Sequence, residues 1–203
     1  MMATTHALAG LVLAAVVAIV TGDYATLPVV AAALGGLFPD FDLYAGHRKT
    51  LHFPVYYSLL AAVAAAVAAT TWTPVTAAVA LFFAAAALHS VSDMFGGGLE
   101  LKPWRGTSDR AVYDHFNGRW LAPKRWVRYD GAPEDLAVAM VLAAPSVVAF
   151  DGPVELAVFA ALGVSAVYVL LRKPMVHIAE RLVAALPQTV LGYVPQRFIE
   201  DFQ

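Results

Sequence analysis

Apolar runs of helical length, separated by short polar breaks, recur along most of the chain. Residues 3–21 form an unbroken run of the ~20 residues that a bilayer-crossing helix needs. A shorter run, Leu27 to Phe38, closes at Pro39-Asp40. A third covers Phe53 to Thr71 and a fourth Pro74 to His89 or slightly beyond, joined by Thr71-Trp72-Thr73-Pro74, a predicted tight turn with an interfacial tryptophan. A further hairpin is expected at 135–150 and 153–171, folded about Asp151-Gly152-Pro153 and ended by Arg172-Lys173-Pro174. Beyond it, Val176, Ile178, Ala179, Leu182, Val183 and Leu186 are spaced as on one helix face, with His177, Glu180 and Arg181 between them. That spacing suits an interfacial amphipathic helix, or equally a helix packed on the preceding polar loop.

These runs predict an all-α, polytopic membrane protein with six transmembrane helices. The expected organisation is a four-helix membrane part at 1–95, a polar loop subdomain at 96–133, a transmembrane hairpin at 134–172 and an amphipathic tail at 173–203. A signal peptide is a poor reading of the first run, because no basic segment precedes it and further apolar runs follow. Composition agrees with the membrane class: 60% of the 203 residues are hydrophobic and 14% charged, with a mean hydropathy of +0.68.

Charge changes the picture through its distribution, since the net value is only -2 and makes no case for a nucleic-acid partner. With six spans, the breaks at Gly22–Thr26, Thr71–Pro74 and Asp151-Gly152 share one side and contain no Lys or Arg. All 13 basic residues fall on the other side, seven of them between Gly96 and Pro133. By the positive-inside rule that side is cytoplasmic, with both termini inside and the chain in the inner or plasma membrane. Treating Leu27 to Phe38 as re-entrant gives five spans and sets Arg48-Lys49 apart from the later basic segments, so six is preferred.

The chain has no cysteine, so any metal must be held by His, Asp or Glu. His89 and Asp93 stand four residues apart near the end of the fourth run, so both leave one helix face. That spacing can present two ligands to one ion or close a simple His–Asp hydrogen bond. His6, Asp40, Asp42, His47 and His52 all fall at the same cytoplasmic depth. Each has a plainer role: His6 facing headgroups, Pro39-Asp40-Phe41-Asp42 as a helix stop with an Asx-turn, His47-Arg48-Lys49 as a cytoplasmic anchor. Together they supply up to four imidazoles and three carboxylates at one level. That is ligand chemistry for Zn2+, with Mn2+ or Fe2+ possible, as one or two divalent transition-metal ions. A bound ion of this kind lowers the pKa of its water to ~7. Arg48 lies between two ligand candidates, where a guanidinium can hold a phosphate through two hydrogen bonds. His47 and His115 are candidates for substrate or leaving-group contact, although Asp114-His115 can equally be a surface pair. Trp104-Arg105, Arg119-Trp120 and Lys124–Arg128 interleave basic and aromatic residues, as a belt on anionic headgroups would.

Thr5-His6-Ala-Leu-Ala-Gly10, Gly36-Leu-Phe-Pro-Asp-Phe-Asp42, His47-Arg-Lys-Thr-Leu-His52 and His89-Ser-Val-Ser-Asp93, read together, resemble the membrane-bound metal-dependent hydrolase family, also described as LexA-binding inner-membrane-associated hydrolases. Their order is also similar to that in zinc-dependent phospholipase C and the S1/P1 nucleases, all-helical enzymes that cleave phosphate esters. The resemblance covers about the first 95 residues. It implies metal ligation by His6, Asp40 or Asp42, His52, His89 and Asp93, with Asp93 as a bridge. No second His-x-x-x-Glu/Asp follows Asp93, which favours one or two ions over three. The expected function is hydrolysis of a phosphoester in a membrane lipid or lipid-linked substrate at the cytoplasmic face. The competing readings are a membrane scaffold or regulator that binds a partner through its basic loop, and a metal- or proton-coupled transporter.

Overall fold

The computed structural model describes residues 1–191 and 193. The chain is mostly helical, 69%, with one short β-hairpin. Six apolar helices form: α1 (Ala3–Thr21), α2 (Thr26–Leu37), α3 (Pro54–Thr70), α4 (Pro74–Ser92), α5 (Pro133–Ala149) and α6 (Pro153–Ala185), followed by one turn, α7 (Gln188–Leu191). Local chemistry marks their ends. A proline opens each of α3, α4, α5 and α6, where the missing N–H would have no helical partner anyway. Thr73 caps α4 by accepting from Thr76 N at 3.1 Å, and Thr76 Oγ1 accepts from Thr73 N at 3.0 Å.

α1 is the central element, packed on α2, α4, α5 and α6. Leu8, Ala15 and Ala18 join Ala32 of α2, Leu81 of α4, Ala139 of α5 and Val158 of α6 in one buried cluster. Small residues set the spacing. A Cβ on Gly10 would stand 2.2 Å from the Ala32 carbonyl oxygen, and one on Gly36 would stand 2.4 Å from that of His6. Backbone therefore touches backbone where α2 meets α1, which draws the end of α2 against the start of α1 and the end of α4.

The structure corrects the expected number of spans. Among the described residues, three helices are long and apolar enough to cross a membrane: Ala3–Thr21, Pro74–Phe95 (α4 with the 3-10 turn after it) and Pro153–Ala185. At 1.5 Å per residue the 12 residues of α2 reach only ~18 Å, and the 17 of α3 and of α5 reach ~26 Å, against a hydrocarbon core of ~30 Å. Large apolar side chains face outward, Val20, Val148 and Leu170 among them, an apolar exterior suited to lipid.

A second correction concerns residues 172–185. Arg172-Lys173-Pro174 does not end a helix; α6 runs on through Pro174 as 33 residues, ~50 Å long. A proline inside a helix costs ~3 kcal/mol, and packing on the polar loop offsets it. Arg172 bonds Asp130, Lys102 pairs with Glu180, and Lys173 lies over the rings of Trp104 and Tyr129 at 5.5 and 5.3 Å. Most of the described part of the expected amphipathic tail is thus the end of α6, docked on the loop and followed by α7; residues 192 and 194–203 lie outside the described residues.

Within the loop, β1 (Val112–Asp114) and β2 (Arg119–Leu121) pair antiparallel, with Val112 opposite Leu121 and Asp114 opposite Arg119. The loop also covers the end of α4, because Lys124 N donates to Met94 O and Val127 N to Phe95 O.

Candidate metal centre

Three helix ends and one turn converge on a single point. α4 carries His89 and Asp93 on one face, as the four-residue spacing requires, and places His89 Nε2 3.6 Å from Asp93 Oδ2. A 3-10 turn, Phe38–Asp42, continues α2 directly, with Pro39 in its first turn, and swings Asp40 inward, with Oδ1 3.4 Å from His89 Nε2. The connection into α3 brings His52, whose Nε2 lies 3.2 Å from His89 Nε2, 3.3 Å from Asp93 Oδ2 and 3.9 Å from Asp40 Oδ1. One ligand atom from each of Asp40, His52, His89 and Asp93 falls within 4.8 Å of every other, and the group can hold a metal ion. Metal–ligand bonds of ~2.0–2.1 Å in a tetrahedron require ligand atoms ~3.3 Å apart. The edges to His52 and His89, 3.2 to 3.9 Å, lie near that value.

The ring nitrogens facing away from this point decide what it can bind. His89 Nδ1 lies 2.6 Å from the Gly36 carbonyl oxygen and His52 Nδ1 lies 2.9 Å from Asp42 Oδ2. Both partners only accept, so each Nδ1 carries a proton, and each Nε2 presents a lone pair once its own proton gives way to a metal. Two imidazole lone pairs and two carboxylate oxygens then face one another in a buried space. Such an arrangement repels itself unless a cation, or protons, fill it. A histidine oriented from behind by a carboxylate or backbone carbonyl is the usual support of a metal ligand.

Burial and hydrogen bonding set the ionisation of the turn residues. Burial raises the Asp40 carboxyl, but the hydrogen bond and charge of His89 outweigh it and bring the pKa down to about 2. Asp42 is held below the usual carboxylate range: burial opposes ionisation, yet hydrogen bonds from His47, His52 and Leu51 N overcome it. Burial disfavours protonated His52, but Asp42 and Asp93 accept from it and raise its pKa.

The expected ligands are thereby sorted by position. Asp40, His52, His89 and Asp93 meet at the point itself. Asp42 stands behind His52, its Oδ1 accepting from His47 Nδ1 at 3.1 Å and Arg48 N at 3.3 Å, and its Oδ2 from Leu51 N at 3.0 Å and His52 Nδ1 at 2.9 Å. His6 lies on the other oxygen of Asp93, with Nε2 3.1 Å from Oδ1 and its ring stacked on that of His89 at 3.6 Å. Met1 N is 2.9 Å from the same oxygen.

Arg48 is buried, 5% exposed, and has a left-handed backbone, φ 60°, a conformation that costs a non-glycine residue ~1 kcal/mol or more. Its Nε sits 3.3 Å from Asp93 Oδ2, and its Nη1 donates to the Gly97 carbonyl at 2.7 Å. Tyr113 N of β1 in turn donates to the Arg48 carbonyl at 2.9 Å, tying the loop hairpin to the site. His115 is not brought to the cluster. Its Nε2 bonds the Lys49 carbonyl at 2.6 Å and its ring packs on Phe53 at 4.5 Å.

Asp40 is the least buried of the four, with 23% of its side chain exposed. It opens onto a cavity of about 520 Å3 that His47 and Arg48 also line, together with Val164, Tyr168 and Arg172 of α6. Sequence reasoning passed over two contributors. Gly36 offers the carbonyl that fixes the His89 tautomer, and its Gly35-Gly36 pair was a signal of close approach. The α6 wall carried no such signal beyond a basic pair at the expected helix end. Comparison of the chain with protein families, with characterised proteins and with solved structures finds no match in any of the three.

Proposed function

We propose that the chain is a membrane-embedded, metal-dependent hydrolase acting on a phosphoester of a lipid or lipid-linked substrate, with the metal held by Asp40, His52, His89 and Asp93. The observation that carries this reading is the convergence of two imidazole Nε2 lone pairs and two carboxylates at tetrahedral spacing, each imidazole fixed from behind by Gly36 or Asp42. Imidazole and carboxylate without thiolate favour zinc, with manganese or iron as the other candidates. The group accounts for one ion, and His6 with Asp93 Oδ1 marks where a second would stand. The motif resemblance to membrane-bound metal-dependent hydrolases supports the same conclusion.

An ion held by these residues with a further position open beside the partly exposed Asp40 would lower the pKa of a bound water to ~7 and polarise a phosphoryl oxygen. The chain does the rest. Arg48 lines the cavity and carries a charge that Asp93 keeps aimed inward, so it can hold a phosphate oxygen. Asp42 holds the His47 ring through Nδ1, so His47 can offer its other nitrogen to a leaving group. The helices and loop around the cluster exclude bulk water, which strengthens both interactions. In this reading the protein lies in the inner membrane with the cluster on the cytoplasmic side, beside Arg48 and the basic residues of the polar loop.

Elemental analysis of protein purified in detergent tests the reading. The expected result is roughly one or two transition-metal ions per chain, lost in His89→Ala/Asp93→Ala, together with hydrolysis in a screen of phosphomonoester and phosphodiester lipids that disappears with the metal. Metal-free protein that stays folded and hydrolyses the same lipids overturns it.

A further inference from the structure

The cavity beside Asp40 has two unlike walls. One is the polar face of the site, made by Asp40, His47 and Arg48; the other is α6, with Val164, Tyr168 and Arg172. Two apolar residues of the lining are also surface residues: Val164 is 60% exposed and Leu43 56%. The cavity thus reaches the outside past apolar side chains. Val164 lies on a helix long and apolar enough to cross a membrane, with only 11% of its most apolar stretch buried. Near this rim α1 and α6 are joined by a hydrogen bond between Thr4 and Ser165, 2.7 Å.

Deep in the α6 wall sits a polar group that no part of the metal site uses. Tyr168 Oη donates to Asp130 Oδ2 at 2.6 Å, Arg172 Nε to the same oxygen at 2.9 Å, and Arg172 Nη2 to Oδ1 at 3.3 Å. The Arg172 and Asp130 charges steady each other: burial opposes ionised Asp130, and the charge and hydrogen bond of Arg172 keep its pKa low. Arg172 Nη1 makes no bond to a described residue, which leaves one charged donor on the cavity wall.

We infer that this cavity is the binding site of a phosphate-bearing amphiphile that enters sideways from the bilayer past Val164 of α6 and Leu43, its headgroup lying by Arg48 and Arg172. The inference rests on the hydrolase reading only for the fate of the phosphate. A volume of about 520 Å3 lies within the ~300–1,000 Å3 of small-molecule sites, enough for a headgroup and not for acyl chains. The chains pass Val164 and lie along the apolar outer face of α6 toward its start, where Phe159 is exposed. A water-soluble phosphoester would have no use for an apolar rim on a lipid-facing helix. Asp40, Glu100 and Asp130 share the lining with Arg48 and Arg172, so an anionic headgroup is favoured by the donor of Arg172 that Asp130 leaves unused and not by a net positive field.

The experiment uses the full chain in nanodiscs of phosphatidylcholine doped with phosphatidylglycerol whose acyl chain carries a diazirine, and maps the crosslinked peptides after irradiation. Diacylglycerol with the same chain is the second probe. Crosslinks are expected to concentrate on the first turn of α1 and on α6 around Val164, with phosphatidylglycerol exceeding diacylglycerol by about tenfold, the worth of one charge-assisted hydrogen bond. Val164→Trp, which plugs the rim from an exposed position, should abolish this focus without loss of bound metal or thermal stability. Leu156→Trp, on the same helix at 70% exposure and outside the cavity lining, should leave it intact. Arg172→Gln should bring phosphatidylglycerol down to the diacylglycerol level. Crosslinks spread evenly over the outer helix faces, or unaffected by Val164→Trp, overturn the inference. So does protection of the cavity by millimolar inorganic phosphate in protein that captures neither lipid, which would assign it to a soluble phosphoester. Focused crosslinks in a protein that holds no metal and cleaves no phosphoester uphold the lipid site and sink the hydrolase reading instead.

Discussion

Two aspartates stand two residues apart in one 3-10 turn, and replacing each by asparagine separates their roles. Asp42 accepts four N–H donors: Leu51 N and His52 Nδ1 on one oxygen, His47 Nδ1 and Arg48 N on the other. In Asp42→Asn the amide oxygen can keep the first pair, but its NH2 group then confronts the second pair, and the backbone N–H of Arg48 cannot turn away. One or two buried donors are left unpaired, at ~1–3 kcal/mol each. Losing the carboxylate behind His52 also weakens metal binding ~10- to 100-fold. Asp40 has no such network. Its Oδ1 faces only the Nε2 atoms of His89 and His52, so Asp40→Asn should change stability by under ~1 kcal/mol. Its metal affinity should fall further than that of Asp42→Asn, because a ligand itself is lost. Chelator competition in detergent gives the affinities and circular dichroism melting of the metal-free proteins gives the stabilities. Wild-type affinity in Asp40→Asn, or complete metal loss confined to Asp42→Asn, would falsify the assignment of Asp40 to the ion and give its place to Asp42.

The remaining predictions concern packing and pH. Gly36→Ala would put a methyl group 2.4 Å from the His6 carbonyl oxygen and force α2 from α1, at ~1–3 kcal/mol; because Gly36 also holds His89 Nδ1, metal affinity should drop along with the melting temperature, and a stable, fully metal-loaded variant would contradict the packing described. Acidification should release the metal through the histidines, since Asp40 stays ionised down to about 2. His52 has its pKa raised, so the metal-free site holds a proton to higher pH than a free histidine and binding must expel it. Affinity should therefore rise with pH up to that raised pKa and level off above it, with proton release visible by calorimetry in two buffers of different ionisation enthalpy. Saturating metal should meanwhile stabilise the fold by ~2.7 kcal/mol at 100 times its dissociation constant, and a melting temperature indifferent to metal would count against a buried site.

The sequence by itself determined whatever depends on near neighbours in the chain. Apolar runs bounded by proline and glycine placed the helices, because those residues act through their own backbone. The spacing of His89 and Asp93 put both on one face of α4, because helical geometry allows nothing else. The absence of cysteine limited the donors to oxygen and nitrogen. Tertiary structure decided the choices between remote partners. Asp40 and Asp42 are indistinguishable in the sequence; the 3-10 turn points one at His89 and the other behind His52, and the close backbone contacts at Gly10 and Gly36 fix where that turn stands. Helix length against bilayer thickness left three candidate spans of the expected six, since an apolar run is a statement about composition and a span is one about distance. Packing on Trp104, Tyr129 and Asp130 carried α6 through a proline that local rules read as a stop. His115 illustrates the same limit from the other side: its chain position beside Asp114 suggested the site, but β1 directs it to the Lys49 carbonyl. The cavity belongs wholly to the fold, because the α6 residues that line it start at Val164, about seventy residues beyond the last ligand, Asp93, and reach it through packing on α1 and the loop.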